Sequence, residues 1–209
     1  MSDLDPRRFL TALKHMGIDS YVVNNEETRT LSRLKKVVKE CRTCSLADTR
    51  KNVVFGEGSS KARLLFIGEA PGEEEDLQGR PFVGRAGKLL DQMIDRIGLR
   101  RKEVYICNVL KCRPPNNRDP DPAEAESCKG YLLSQLEIIS PKIICTLGRH
   151  AYNTLLGSDE SITRIRGHLT TFKGFKLLPT YHPSFLLRNQ NRITEAWEDM
   201  ESLRQLLKE

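Results

Sequence analysis

The feature that most restricts the fold of this chain is a rhythm. From Arg63 onward, short unbroken apolar runs alternate with stretches of helical periodicity. Leu64-Leu65-Phe66-Ile67 stops at Gly68, and Val104-Tyr105-Ile106-Cys107, Ile143-Ile144-Cys145-Thr146-Leu147 and Lys176-Leu177-Leu178 follow in turn. A strand inside a parallel sheet is covered on both faces, so it reads as a continuous apolar run rather than an alternating one. Between the runs, residues 86–97 put Leu89, Leu90, Met93, Ile94 and Ile97 on one helical side. Asp121-Pro122-Ala123-Glu124 combines an N-cap Asp, a Pro in the first helical position and a Glu three residues past the cap, which starts a helix reaching Ile139. Helical spacing also marks residues 149–156 and 193–207, the latter with Trp197, Met200, Leu203 and Leu207 inward. The expected class is α/β: a three-layer α/β/α fold with a central, mostly parallel four-stranded sheet.

Ahead of this rhythm, residues 5–21 show helical spacing (Phe9, Leu10, Leu13, Met16), and the polar run from Asn24 to Thr28 reads as a linker. Residues 1–28 are thus expected to form an N-terminal helical extension and linker, and residues 29–209 one domain. A helix over 31–40, basic on one face, leads into Cys41. Lys and Arg outnumber Asp and Glu by 34 to 28, giving +6, a balance that suits a polyanionic partner. The sequence has no run of about 18 apolar residues and no apolar leader at its start, so a cytoplasmic location without membrane association is expected. In that compartment six cysteines are reduced, metal-bound or buried rather than disulfide-paired.

In open parallel sheets, ligands bind beyond the carboxyl ends of the strands. Each of three unusual polar segments follows such an end: Gly68-Glu69-Ala70-Pro71-Gly72, residues 108–118, and His182-Pro183-Ser184. They converge on a single site. The cysteines divide into two sets. Cys107 and Cys145 lie within apolar strands and read as small buried hydrophobes. Cys41 and Cys44 form a C-x2-C pair that ends a helix, while Cys112 and Cys128 flank a Pro-rich loop. Four such thiols suit an all-thiolate zinc site or a [4Fe-4S] cluster, and spacing leaves both open.

From residue 31 to the C-terminus, the successive segments Gly68-Glu69-Ala70-Pro71-Gly72-Glu73-Glu74-Glu75-Asp76, Gly79-Arg80-Pro81-Phe82-Val83-Gly84, Asn108-Val109-Leu110-Lys111-Cys112-Arg113-Pro114-Pro115 and His182-Pro183-Ser184 closely resemble the motifs of family 4 uracil-DNA glycosylases. The resemblance implies a monofunctional DNA glycosylase that flips uracil from DNA and hydrolyses its N-glycosidic bond, starting base excision repair. It implies uracil-containing DNA, single- or double-stranded, as partner, and a monomer. It also selects a [4Fe-4S] cluster on Cys41, Cys44, Cys112 and Cys128. Phe82 would stack on the flipped base. Asn108 would read uracil's N3–H donor and O4 acceptor. Glu75 would fill the space of thymine's methyl group. Ala70 stands where other uracil glycosylases carry an Asp, which moves the water-positioning role to Glu69, with backbone N–H groups at Ala70 also touching uracil. His182 would stabilise negative charge growing on uracil O2. Leu186 would be the wedge that fills the vacated stack, with Arg188 and Ser184 on phosphate. Lys111, Arg113 and Arg118 are further phosphate candidates. The alternatives are a related protein that traps the abasic sugar covalently on a His, which the stretch 111–122 lacks, and a non-catalytic iron–sulphur damage-binding module.

Overall fold

The computed structural model describes residues 30–209. The expected helix over 5–21 and the linker that follows lie outside the described residues. The chain enters through α1 (Leu31–Lys39), where the Thr30 hydroxyl caps the Arg33 N–H at 3.3 Å. A single turn, α2 (Leu46–Thr49), leads to β1 (Glu57–Gly58) and β2 (Leu64–Gly68). Then come α3 (Glu73–Gln78), α4 (Arg85–Arg96), β3 (Tyr105–Asn108), α5 (Pro122–Ile139) and β4 (Ile143–Leu147). The chain finishes with α6 (Arg149–Leu156), α7 (Ile162–Ile165), β5 (Thr170–Phe172), β6 (Phe175–Thr180), α8 (Pro183–Arg188) and α9 (Ile193–Lys208). The cap read at Asp121 is present: its carboxylate accepts the Ala123 N–H, and Glu124 accepts the Asp121 N–H in return.

The sheet has six strands in the order β1-β3-β2-β4-β6-β5. The four strands expected from the apolar runs are its parallel centre, paired β3 to β2, β2 to β4 and β4 to β6. The four-stranded expectation needs correcting at both edges, where β1 and β5 pair antiparallel. Neither edge strand is an apolar run, because an edge strand needs only partial cover. β5 joins β6 through Lys173-Gly174, both at positive φ (47° and 87°), a tight hairpin turn.

Strand alternation sorts the core into two layers. Leu64, Phe66, Ile106, Cys145 and Leu178 face α4 and α9, against Leu90, Met93, Ile94, Met200 and Leu203. Leu65, Ile67, Cys107, Ile144 and Leu177 face α5 and α6, against Leu132, Leu133, Leu136, Ala151 and Leu155. Each fully buried side chain of this kind stabilises the fold by about 1.5–3 kcal/mol relative to exposure. A third cluster lies outside the second layer, where Leu34 and Val38 of α1 meet Leu46, Phe55, Leu110 and Tyr131 around the four thiols.

The last strand is locked by one buried carboxylate. Asp199 of α9 is 1% exposed, accepts the Thr180 hydroxyl at 2.7 Å and pairs with both Nε and Nη2 of Arg166. The Arg166 guanidinium in turn lies over the Tyr181 ring, 5.8 Å from its centroid. Removing one partner of a buried pair strands the other. Asp199→Ala is therefore expected to lower unfolding stability by about 3 kcal/mol, read by denaturant melts, with the end of β6 loosening first.

Candidate active site and thiol centre

Register brings the polar segments together. Gly68 pairs with Asn108, and Leu147 with Thr180, so the carboxyl ends of four strands form one rim. Glu69 follows β2, Asn108 ends β3, and His182 caps α8 just beyond β6. Gly68 shows how close these groups lie. A Cβ there would come within 2.3 Å of Asn108 Oδ1 and 2.6 Å of Phe82 Cζ. The Phe82 ring is 5.6 Å from the His182 ring, tilted by 34°. The amide of Asn108 thus lies close to the Phe82 ring, and that ring close to the His182 imidazole.

Phe82 sits in a conformation that bulky residues avoid, at φ 51°. Two features hold it there. Gly87 in α4 lets the loop press in, since a Cβ at that position would fall 1.9 Å from the Phe82 carbonyl oxygen. Glu75 accepts the N–H groups of Val83 at 2.8 Å and Gly84 at 3.1 Å, and through its other oxygen that of Gly72 at 3.1 Å. The Glu75 carboxylate therefore ties the Gly72 turn to the loop carrying Phe82. Backbone strain of this sort, held by surrounding structure, concentrates at functional sites.

Asn108 is 1% exposed, and its Oδ1 has no hydrogen-bond partner. A buried acceptor left unmatched costs about 1–3 kcal/mol, so it marks a place where a donor belongs. His182 is electrostatically defined. Its Nδ1 accepts the Ser184 N–H at 3.1 Å and lies 2.8 Å from the Ser184 hydroxyl. Because Nδ1 accepts, the proton of the neutral ring is on Nε2. Burial, with Arg188 and His150 nearby, holds the imidazole pKa down at about 4, so the ring is a neutral donor at neutral pH. Glu69 is half-buried, and desolvation raises its carboxyl above the usual value; His150 and Arg149 pull the other way, while Asp119 adds to the rise. His150 Nε2 lies 4.0 Å from Glu69 and 3.4 Å from Asp119. Nothing in the sequence motifs pointed to His150 or Asp119, since neither lies in the three polar segments as a recognisable ligand.

Several sequence expectations need correction. Leu186 is 1% exposed and packs in the first core layer, because residues 183–188 form a helix that turns it inward. Its neighbour Leu187 is 41% exposed and is the apolar side chain that this segment presents to solvent. Ser184 directs its hydroxyl and N–H to His182 rather than outward. Lys111 is 1% exposed, so it is no phosphate contact. Arg118 is engaged in a two-pronged pair with Glu124, at 2.9 and 2.6 Å. Arg113 donates to Asn117 Oδ1 at 2.8 Å and sits 3.7 Å from Glu73. Arg188 is exposed, without an ion pair among the described residues. Ala70 is half-buried against the thiol cluster.

Cys41, Cys44, Cys112 and Cys128 gather under α1. Arg50 bridges them, donating to Cys112 Sγ at 3.2 Å and to the Cys41 carbonyl at 2.8 Å. The Lys111 N–H reaches Cys128 Sγ at 3.4 Å. Burial pushes the Cys128 thiol up to about 12 and raises Cys112 as well, so these sulphurs become thiolates only beside a positive centre. A tetrahedral zinc with Zn–S bonds of about 2.3 Å holds its sulphurs only about 3.8 Å apart. Cys112 feels the charge of Cys44 and Cys41, and Cys128 that of Cys112 and Cys41. Four gathered thiols are a donor set suited to a thiolate-bound metal centre. Cys107 and Cys145 stand apart in the strands, fully buried, as expected.

The fold and this rim have counterparts. The family described as Uracil DNA glycosylase superfamily matches residues 55–201, which include the whole sheet and every pocket residue named above. Three proteins named Type-4 uracil-DNA glycosylase are similar over most of their length. That of Thermotoga maritima is 49% identical over 175 residues, covering 82% of this chain and 91% of the relative. That of Sulfurisphaera tokodaii is 48% identical, covering 85% and 84%, and that of Archaeoglobus fulgidus 44% identical, covering 85% and 93%. The chain belongs to the uracil-DNA glycosylase superfamily and, within it, to the type-4 family.

Proposed function

We infer that this protein is a monofunctional uracil-DNA glycosylase that extrudes uracil from DNA and hydrolyses its N-glycosidic bond, the first step of base excision repair. The observation that carries this reading is the buried, unpartnered Asn108 Oδ1 close to the Phe82 ring, which itself lies beside the His182 imidazole. Uracil's N3–H supplies the missing donor, and the amide's N–H answers O4; cytosine offers neither in that order. Phe82 provides the face on which the extruded ring stacks. Glu75, by fixing the Gly72 turn against Val83–Gly84, builds the wall that leaves no room for a C5 methyl group, and backbone at Ala70 lines the same turn.

Cleavage expels uracil as an anion and leaves a cationic sugar. The neutral His182 donates from Nε2 to O2 as charge arrives, while Ser184 holds the ring in that tautomer. Glu69, just past the end of β2 and with a raised pKa, is suited to orient and deprotonate water while its charge offsets the sugar's. Leu187 takes the wedge role expected of Leu186, and Arg188 binds phosphate. Cys41, Cys44, Cys112 and Cys128 would hold a [4Fe-4S] cluster, which supplies a rigid, anionic brace between α1, α5 and the loop after Asn108. The mechanism draws on none of its redox chemistry.

The test combines two measurements on one preparation. Purified protein is expected to be brown, to contain about four irons per chain as the cluster formula requires, and to absorb near roughly 400 nm. Incubated with a single-stranded uracil oligonucleotide and then alkali, it should yield strand breaks. A shifted but uncut oligonucleotide means a binding module, an SDS-resistant adduct means covalent trapping, and a colourless, zinc-loaded, active protein overturns the cluster.

A further inference from the structure

Lys111 is the one residue whose position contradicts its chemistry most sharply. Its side chain is 1% exposed, yet it carries an ammonium. The Nζ donates to the main-chain carbonyl of Asn108 and to Gln135 Oε1, each at 2.6 Å. No carboxylate pairs with it among the described residues. Gln135 is itself fixed, because its amide donates to the Phe55 carbonyl at 2.8 Å and to the Tyr105 hydroxyl at 3.1 Å. Burying a cation without an anionic partner is costly, and a long flexible side chain is an inefficient way to satisfy two neutral acceptors. Beside it, the Lys111 main-chain N–H meets Cys128 Sγ at 3.4 Å.

We propose that Lys111 is a positioning residue for base recognition: it grips the Asn108 carbonyl from behind and so fixes the direction in which the Asn108 amide faces the pocket. Gln135 and Cys128, both on α5 and two turns apart, hold Lys111 in place. The base reader is thereby anchored to the thiol centre through one side chain. This rests on Asn108 being the uracil reader. Lys111 itself touches neither base nor DNA.

The test compares Lys111→Met, which keeps length but loses both hydrogen bonds, with Gln135→Met, which leaves the lysine but removes its anchor. In each, free-uracil affinity is measured by calorimetry alongside the KM and kcat for a uracil oligonucleotide, iron per chain and affinity for uracil-free DNA. A misdirected Asn108 weakens ground-state recognition, so free-uracil affinity and KM should both worsen by roughly tenfold in Lys111→Met. The turnover number, iron content and uracil-free DNA affinity should change by less than about threefold, and Gln135→Met should shift in the same sense by a smaller factor. Simple loss of folded protein has a different signature, a lower apparent kcat at unchanged KM. Native free-uracil affinity in iron-replete Lys111→Met or, should that variant not fold, in Gln135→Met overturns the proposal. Failure of the unaltered protein to bind uracil at all would instead count against the functional reading.

Discussion

In Asn108→Asp protein, kcat/KM for uracil excision at neutral pH is expected to fall by on the order of 10³–10⁴-fold, since a site built to hydrogen-bond its substrate strongly rejects a mismatched partner. The substitution is nearly isosteric, so packing beneath β3 stays intact and the whole effect is chemical. An ionised carboxylate turns the donor that faces uracil O4 into an acceptor. It also places a charge beside Phe82 and Gly68, where Asn108 is 1% exposed. Burial raises the pKa of the new carboxyl, and its protonated form again offers one donor and one acceptor. Activity of this variant should therefore recover in part as pH falls, opposite to the trend of the native protein. Steady-state rates on a single-stranded uracil oligonucleotide between pH 5 and 8 would show both effects. Undiminished excision at pH 8 would remove Asn108 from the reading role.

For His182→Ala the expected loss is about 10²–10³-fold in kcat with little change in KM, because the imidazole donates to charge present mainly in the transition state. The pH dependence separates this from loss of a cation. Desolvation first, then Arg188 and His150, depresses the folded-state pKa from 6.5 to about 4. The neutral donor thus persists as pH falls through 6.5 and is lost only near 4. A native pH–rate profile should show no limb at 6.5. With Glu69 in the proposed role, its acid limb should lie above the ordinary carboxylate value, where burial raises that carboxyl. The unfolded chain protonates its His below 6.5 while the folded one resists, so this group's contribution to stability is full above 6.5 and fades as pH drops toward 4. An acid limb centred at 6.5 that vanishes in His182→Ala would mean that the imidazolium, not the neutral ring, is the working form.

The four central strands could be read from residues because strands buried on both faces leave no polar position to confuse the pattern. The two edge strands were missed for the converse reason: Glu57–Gly58 and Thr170–Phe172 are partly exposed and carry no apolar run. Phe82, Asn108 and His182 stand out in the sequence because their motifs are distinctive, whereas the φ of 51° at Phe82 has no trace in its neighbours. Leu186 and Leu187 are adjacent and chemically alike, and only the helix at residues 183–188 decides which faces inward. Lys111 was read as a surface cation because charge normally seeks water. Its burial depends on partners 24 residues away along the chain at Gln135 and on a thiol centre, and pattern reading has no access to either.

The parallel pairing of β2 with β3 and β4, and of β4 with β6, has a consequence for how the protein acquires its chemistry during synthesis. Each working group of the pocket arrives on a different stretch of chain, with the imidazole last, more than 70 residues after the amide. A ribosome-bound chain that ends at α6 already owns its stacking ring, its amide and all four thiols, but no second wall to close the cleft. Competence to release uracil is therefore a property of the finished sheet alone, withheld until the last quarter of the chain has docked.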